Sequence, residues 1–244
     1  MFSIKIGCCG FPHGMKNYFA RFRVVELQKT FYQIPSYESV KKWFSLSPPG
    51  FEFTVKAWQG VTHPVTSPTY RRFKGTLKGK PENYGFFQQT EEVLNAWRVT
   101  ERVCSMLKTR YVLFQCPASF KPTSKNLENI VVFFKTIKNP VFQFVWEPRG
   151  GDWTDEVISE VCKKCNLVHC VDPFNRFPVT KEVAYFRLHG SPLGDRMYYY
   201  DYTEEDLNRL IEWCERFKKV YCFFNNMNMY QSAVKLMKMC SKRI

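Results

Sequence analysis

The sequence has no apolar run approaching the roughly 20 residues that a membrane-spanning helix needs, so no segment is expected to cross a bilayer. Its opening, Phe2-Ser3-Ile4-Lys5-Ile6, lacks a charged-then-apolar leader and reads as a strand, which argues against a secretory signal. There is no low-complexity stretch, linker or break in composition, so residues 1–244 are expected to form one domain. Gly-x-Ser-x-Gly, Walker and Gly-x-Gly-x-x-Gly signatures are missing, and nothing suggests a haem, flavin or nicotinamide cofactor. The four histidines form neither His-x-His nor His-Glu-x-x-His. Acid is also short: 36 basic against 22 acidic residues leave a net charge of +14. Such a field favours anionic partners, whether phosphorylated metabolites, nucleic acid or acidic surfaces.

What is present is a core. With 45% hydrophobic and 17% aromatic residues over 244 positions, the chain is too apolar for disorder and long enough for a substantial interior. A cytoplasmic globular protein is the expectation. The ten cysteines do not suggest a disulfide scaffold. Most sit within apolar strand-like runs or on apolar faces of helical patterns, where a thiol packs as a small hydrophobe. Cys162-Lys-Lys-Cys165 has zinc-knuckle spacing, but no second such pair follows it.

Strand-length apolar runs recur at Ile4–Cys8, Leu27–Ile34, Phe51–Ala57, Tyr111–Cys116, Val141–Trp146, Leu167–Val171, Ala184–Leu188 and Val220–Phe224. Several are apolar almost throughout, as strands buried on both faces are. Helical patterns lie between them. Leu127, Ile130, Val131, Phe134 and Ile137 step by three and four behind a cap at Ser124, and Phe86 to Leu107 reads as a longer helix. Thr154 precedes two acids, Thr203-Glu-Glu-Asp206 resembles a capping box, and Ala233 to Cys240 marks a terminal helix. The alternation predicts an α/β chain, a single (β/α)8 TIM-type barrel with weak helical units after strands one and six. An open doubly wound sheet is the alternative.

In such a barrel the chemistry gathers where strands run into their following loops. The expected strand ends carry Tyr32, Lys56, Gln115, Glu147 with Arg149, Asp172, Arg187 with His189, and Asn225 with Asn226; His63 lies a little beyond strand three. Residues two apart on a strand share a face, so Arg187 and His189 point the same way. Individually each has a structural explanation: an ion pair on the rim, a turn before Pro173, a loop cap. So many polar groups at one rim nevertheless favour a pocket, because burying them unpaired is costly.

The same residues resemble the YecE-like family, the domain of unknown function seventy-two. The resemblance runs through Ile6-Gly-Cys-Cys-Gly10, Glu26-Leu-Gln-Lys-Thr-Phe-Tyr32, Phe51-Glu-Phe-Thr-Val-Lys56 with Thr62-His63, and Leu113-Phe-Gln-Cys-Pro117. It continues through Glu147-Pro-Arg149 with Trp153, Tyr185-Phe-Arg-Leu-His-Gly190, and Phe224-Asn-Asn226. It implies a TIM-type barrel and a shared polar cluster of Lys56, His63, Glu147, Arg149, Arg187, His189 and Asn225; it implies no particular reaction. The chain departs from the family at strand one, where Gly7-Cys8-Cys9-Gly10-Phe11 stands in place of Gly-Thr-Ser-Gly-Trp.

The chemistry expected of this set is anion binding. Lys56, Arg149 and Arg187 match phosphate or carboxylate oxygens, and Tyr32, His63, Gln115, Asp172, Asn225 and Asn226 complete the substrate-binding set. Glu147 and His189 are the pair for proton transfer, allowing hydrolysis or elimination of a phosphorylated or other anionic substrate. No cofactor is predicted; a divalent metal held by Glu147, Asp172, His63 and His189 is a weaker candidate, opposed by the neighbouring cations. The alternative is nucleic-acid binding, with phosphodiesterase or nuclease activity, through the basic loop at about 60–85. There Arg71, Arg72, Lys74 and Lys78 interleave with aromatics, as phosphates and unstacked bases require. The same composition suits a solvated lid, and Cys9 reads as a packed thiol rather than a nucleophile. Oligomeric state is not legible.

Overall fold

The computed structural model describes residues 3–191 and 196–241. Eight strands alternate with helices: β1 (Ser3–Cys8), β2 (Val24–Leu27), β3 (Glu52–Lys56), β4 (Tyr111–Gln115), β5 (Gln143–Glu147), β6 (Val168–Val171), β7 (Val183–Leu188) and β8 (Lys219–Phe224). The helices are α1 (Met15–Arg21), α2 (Lys29–Tyr32), α3 (Tyr37–Leu46), α4 (Glu91–Met106), α5 (Ser124–Thr136), α6 (Asp155–Cys165), α7 (Glu204–Cys214) and α8 (Met229–Ser241). The fold class is (β/α)8, the TIM-barrel class. As the sequence suggests, the unit after β1 holds only the seven-residue α1, and no helix is described between β6 and β7.

Two compact units make up the chain. One comprises residues 1–26, 48–52 and 168–244; the other comprises 27–47 and 53–167. In the first, β1 pairs with β8, β8 with β7 and β7 with β6, all parallel, and Cys9 bridges to Glu26 on β2. Here β7 and β8 carry only buried side chains after their first residue, which is why, Arg187 apart, they read as apolar runs. Against β1 and β8 packs α8. In the second unit β3 pairs with β4 and β4 with β5, and the register sets Gln115 opposite Glu147. Its core is aromatic: Phe87, Phe114, Phe133, Phe134 and Phe144 meet at centroid distances of 5.1–6.2 Å where they touch. Offset and edge-on rings of this kind add to the burial energy.

Local expectations divide on short-range detail. Thr154 and Thr203 cap α6 and α7 as their spacing implies, Thr203 with a reciprocal box to Asp206. The cap of α5 is Thr123 rather than Ser124, since its hydroxyl accepts from the Asn126 N–H. The run Leu27–Ile34 is not a strand. The strand ends at Leu27 and the chain turns into α2, because Thr30 Oγ1 donates to the Leu27 carbonyl at 2.6 Å and also contacts the Lys56 carbonyl at 2.7 Å. Nor does a helix begin at Phe86: Phe86 and Phe87 have φ of 52°, and α4 starts only after the Thr90 cap. All ten cysteines are free, and all but Cys165 are buried. Among the described residues no helix is long and apolar enough to cross a membrane.

Candidate functional site

The second unit brings five of the expected residues together. Lys56 is the last residue of β3, Gln115 of β4 and Glu147 of β5, so three adjacent parallel strands deliver their terminal side chains to one edge. Lys56 is only 2% exposed. Its ammonium donates to Gln115 Oε1 at 2.7 Å and lies 3.8 Å from the centre of the Phe31 ring. Both contacts suit a charge withdrawn from water. Gln115 is fixed in turn, its Nε2 donating to the Cys116 carbonyl at 2.8 Å. Beyond Pro148 the chain turns back so that Arg149 holds Glu147 Oε1 from Nε at 2.8 Å and Nη2 at 2.7 Å. Behind them Trp146 and Trp153 pack edge to face at 5.1 Å, and the Trp153 indole donates to the Phe120 carbonyl.

His63 completes this group. It is buried, edge-on to Phe31 at 4.9 Å, with Nδ1 2.8 Å from Thr62 Oγ1. Its pKa is pushed down to about 3, first by burial and then by the charges of Lys56 and Arg149, against the opposing pull of Glu147. The imidazole is therefore neutral at ordinary pH. A neutral ring carries one N–H donor and one acceptor nitrogen, and Nδ1 is the nitrogen engaged by the Thr62 hydroxyl. Two cations, a neutral imidazole, an amide and a carboxylate thus share one setting.

Tyr32 does not lie at a strand end, as the sequence suggested, because the second strand stops at Leu27; it closes α2. From there its ring still sits 6.0 Å from the Lys56 ammonium, and the Arg72 guanidinium stacks on it at 3.5 Å. Arg71, Arg72, Lys74 and Lys78 are all exposed.

The first unit holds the other expected residues in a different arrangement. Arg187, 1% exposed, donates from Nε to Glu26 Oε1 at 3.0 Å, and Tyr185 donates to Glu26 Oε2 at 2.8 Å. Cys9 also donates to Glu26, at 3.1 Å, and its thiol pKa is raised well above 9.0 by burial and the adjacent carboxylate. Cys9 is a packed thiol, as expected. Glu26 itself was not singled out from the sequence; a lone carboxylate inside Val24-Val-Glu-Leu27 was the available signal. Asp172, just past β6, accepts from the His189 backbone N–H at 2.8 Å and lies 3.5 Å from His189 Nδ1. Asn225 follows β8 and donates its backbone N–H to Leu188; Asn226 is buried and donates from Nδ2 to the Tyr200 carbonyl at 2.8 Å. Glu147 and His189, expected as a proton-transfer pair, belong to different units, each with its own partners. Among the described residues no group of three or more His, Cys, Asp or Glu is placed to hold a metal ion.

A (β/α)8 chain with charged and amide side chains at its strand ends defines a TIM-barrel protein of the kind that builds sites from those ends. The chain belongs to the DUF72 family: the model described as "Protein of unknown function DUF72" matches residues 10–244. It is similar to a DUF72 family protein of Enterococcus faecalis V583 (19% identity, TM-score 0.76, covering 99% of this chain and 98% of that one). It is also similar to a DUF72 family protein of Thermotoga maritima MSB8 (26% identity, TM-score 0.72, covering 98% and 99%). The UPF0759 protein YunF of Bacillus subtilis (strain 168) is 30% identical over 114 residues, 46% of this chain; the match spans about a third (35%) of that relative's length.

Proposed function

We propose that the protein binds an anionic small molecule, a phosphate ester or related anion, at Lys56, Arg149 and His63, and that Glu147 acts on it as a base in hydrolysis or elimination. The observation that carries this reading is the buried Lys56 ammonium, held between Gln115 and the Phe31 face at the end of β3. A buried ammonium at a strand end, close to the Arg149–Glu147 pair, offers an anion a charged donor already withdrawn from water. Arg149 adds a two-point donor, and neutral His63 adds a polar ring that brings no charge of its own. Glu147, oriented by Arg149, is the carboxylate that ends β5 beside Gln115. The test is calorimetric titration with inorganic phosphate. Lys56→Met is expected to weaken binding at least about tenfold, as loss of a charge-assisted hydrogen bond does; unchanged affinity would remove Lys56 from the site. Glu147→Gln is expected to preserve binding and abolish turnover of any phosphate ester the wild type cleaves.

A second reading, nucleic-acid binding, is favoured by the stacking of Arg72 on Tyr32 beside exposed Arg71, Lys74 and Lys78. It predicts binding of single-stranded nucleic acid that weakens steeply with salt. Affinity indifferent to salt contradicts it.

A further inference from the structure

Three residues beyond Lys56, Gln59 is fully buried (0% exposed), and neither its carboxamide oxygen nor its nitrogen has a hydrogen-bond partner. Its backbone, by contrast, is tied down. The Gln59 N–H donates to the Phe31 carbonyl at 3.0 Å, and its own carbonyl accepts from Thr62 at 3.1 Å and His63 at 2.8 Å. The turn that carries Gln59 is therefore the turn that positions His63. Next to it the buried Trp58 indole N–H is also unpartnered. Folded proteins pair nearly all buried polar groups, because an unpaired amide forfeits its hydration with nothing in return. A whole side-chain amide left unpaired at this point needs an explanation outside the free protein's own packing.

The basic segment 67–84 covers Trp58 at this turn. Phe73 and Tyr84 lie on Trp58 at 5.3 and 5.9 Å. At its far end the segment is anchored: Lys80 N–H and Asn83 Nδ2 donate to Glu92, the Thr90 hydroxyl donates to the Asn83 carbonyl, and Tyr84 is buried. Between residues 67 and 78 the bonds to the site are fewer. Tyr70 donates to the His63 carbonyl at 3.2 Å, Gln33 bonds the backbone of Arg72 and Lys74, and Arg72 stacks on Tyr32. A strap fastened this way can lift without breaking a strand pairing.

We propose that Gln59 is a recognition residue of the anion site, uncovered when segment 67–78 lifts, and that it reads the planar edge of a nucleotide whose phosphate meets Lys56. The inference rests on the anion-binding reading above. Its added content follows from the chemistry of a carboxamide, which presents a donor beside an acceptor. The complementary edge presents an acceptor beside a donor, as adenine does at N7 and its amino group. The rings of Phe31, Tyr32 and Trp58 around the same turn suit a flat heteroaromatic guest. Arg72, displaced from Tyr32, would be free to turn to the phosphate.

The experiment compares adenosine 5′-monophosphate, ribose 5-phosphate and inorganic phosphate by calorimetry on the wild type and on Gln59→Met. A 5′-phosphorylated oligonucleotide in the same series separates a strand end from a free nucleotide as the source of that chemistry. In the wild type the adenosine nucleotide is expected to bind at least about tenfold more tightly than ribose 5-phosphate. In Gln59→Met that preference should vanish while inorganic phosphate binds as before. Thermal unfolding of the ligand-free variant supplies the second readout. Replacing an unpaired amide by a similarly shaped thioether should raise the melting temperature, by about 2–4 °C for each kcal/mol gained in a chain of this size. A lower melting temperature would mean that the amide is structurally paired, and would overturn the proposal. So would equal binding of nucleotide and ribose 5-phosphate in the wild type, or a preference that survives in Gln59→Met. If inorganic phosphate itself fails to bind, the anion site falls and this inference with it.

Discussion

At the scale of single residues, buried ionisable groups are handled in two ways. His63 is kept neutral, whereas Arg187 and Glu26 are buried as a charged pair. A histidine whose native pKa is about 3, against an ordinary 6.5, takes up its proton only on unfolding. The unfolded chain therefore binds more protons between these values. His63 thus adds nothing adverse above about pH 6.5, and stability declines as pH falls from there toward 3. Urea unfolding at pH 7 and pH 4 should show this loss, a few kcal/mol at most, and His63→Gln should flatten it; an unaltered slope would mean that the histidine titrates normally. The Arg187–Glu26 pair is almost fully enclosed, and Glu26 also accepts from Tyr185 and Cys9. Removing one partner strands the other, so Glu26→Gln should cost about 3 kcal/mol in the same assay. A cost below about 1 kcal/mol would show that water reaches Arg187.

At the scale of elements, caps and close approaches decide which segments hold their place. Thr203→Ala removes the hydroxyl that accepts from Asp206 and half of a reciprocal box, and should destabilise by about 1 kcal/mol, measured by chemical denaturation. Gly85 has φ of +86°, and a Cβ there would stand 2.4 Å from the His63 carbonyl carbon. Gly85→Ala should therefore both destabilise the fold and disturb phosphate binding, whereas a variant that binds normally would free this contact from any role in the site. The sequence was informative where one signal dominated. Strands β7 and β8 are apolar but for Arg187 and the leading Lys219, and Thr154 and Thr203 are strong caps followed by acids. It misled where tertiary bonds overrode local preference. Thr30-Phe-Tyr32 has strand-forming residues, yet the Thr30 hydroxyl, bonded to Leu27 and touching the Lys56 carbonyl, bends them into α2. Phe86 and Phe87 extend the apolar rhythm of α4 but occupy the left-handed region before its cap. Helix α3 does carry Tyr37, Val40, Trp43 and Phe44 at helical spacing behind the Ser36 cap, although Val40 alone of its residues is buried.

At the scale of the whole molecule, membership of the DUF72 family and the (β/α)8 fold together explain why strand-end residues were the legible part of the site. Lys56, Gln115 and Glu147 each end a strand, so alternation and strand length sufficed to find them. Glu26 and Gln59 were harder to see, because their importance lies in what surrounds them: three partners for one, none for the other. A net charge of +14 should draw anions from a distance, so phosphate affinity is expected to fall between 50 and 500 mM salt as screening grows, but only modestly where the contacts are buried. The most direct test of the anion site is a crystal structure of the protein soaked in selenate, with the anomalous signal of selenium locating the ion. The account predicts a peak within hydrogen-bonding distance of the Lys56 ammonium and the Arg149 guanidinium. Selenium peaks confined to surface lysines, with none at Lys56, would contradict it.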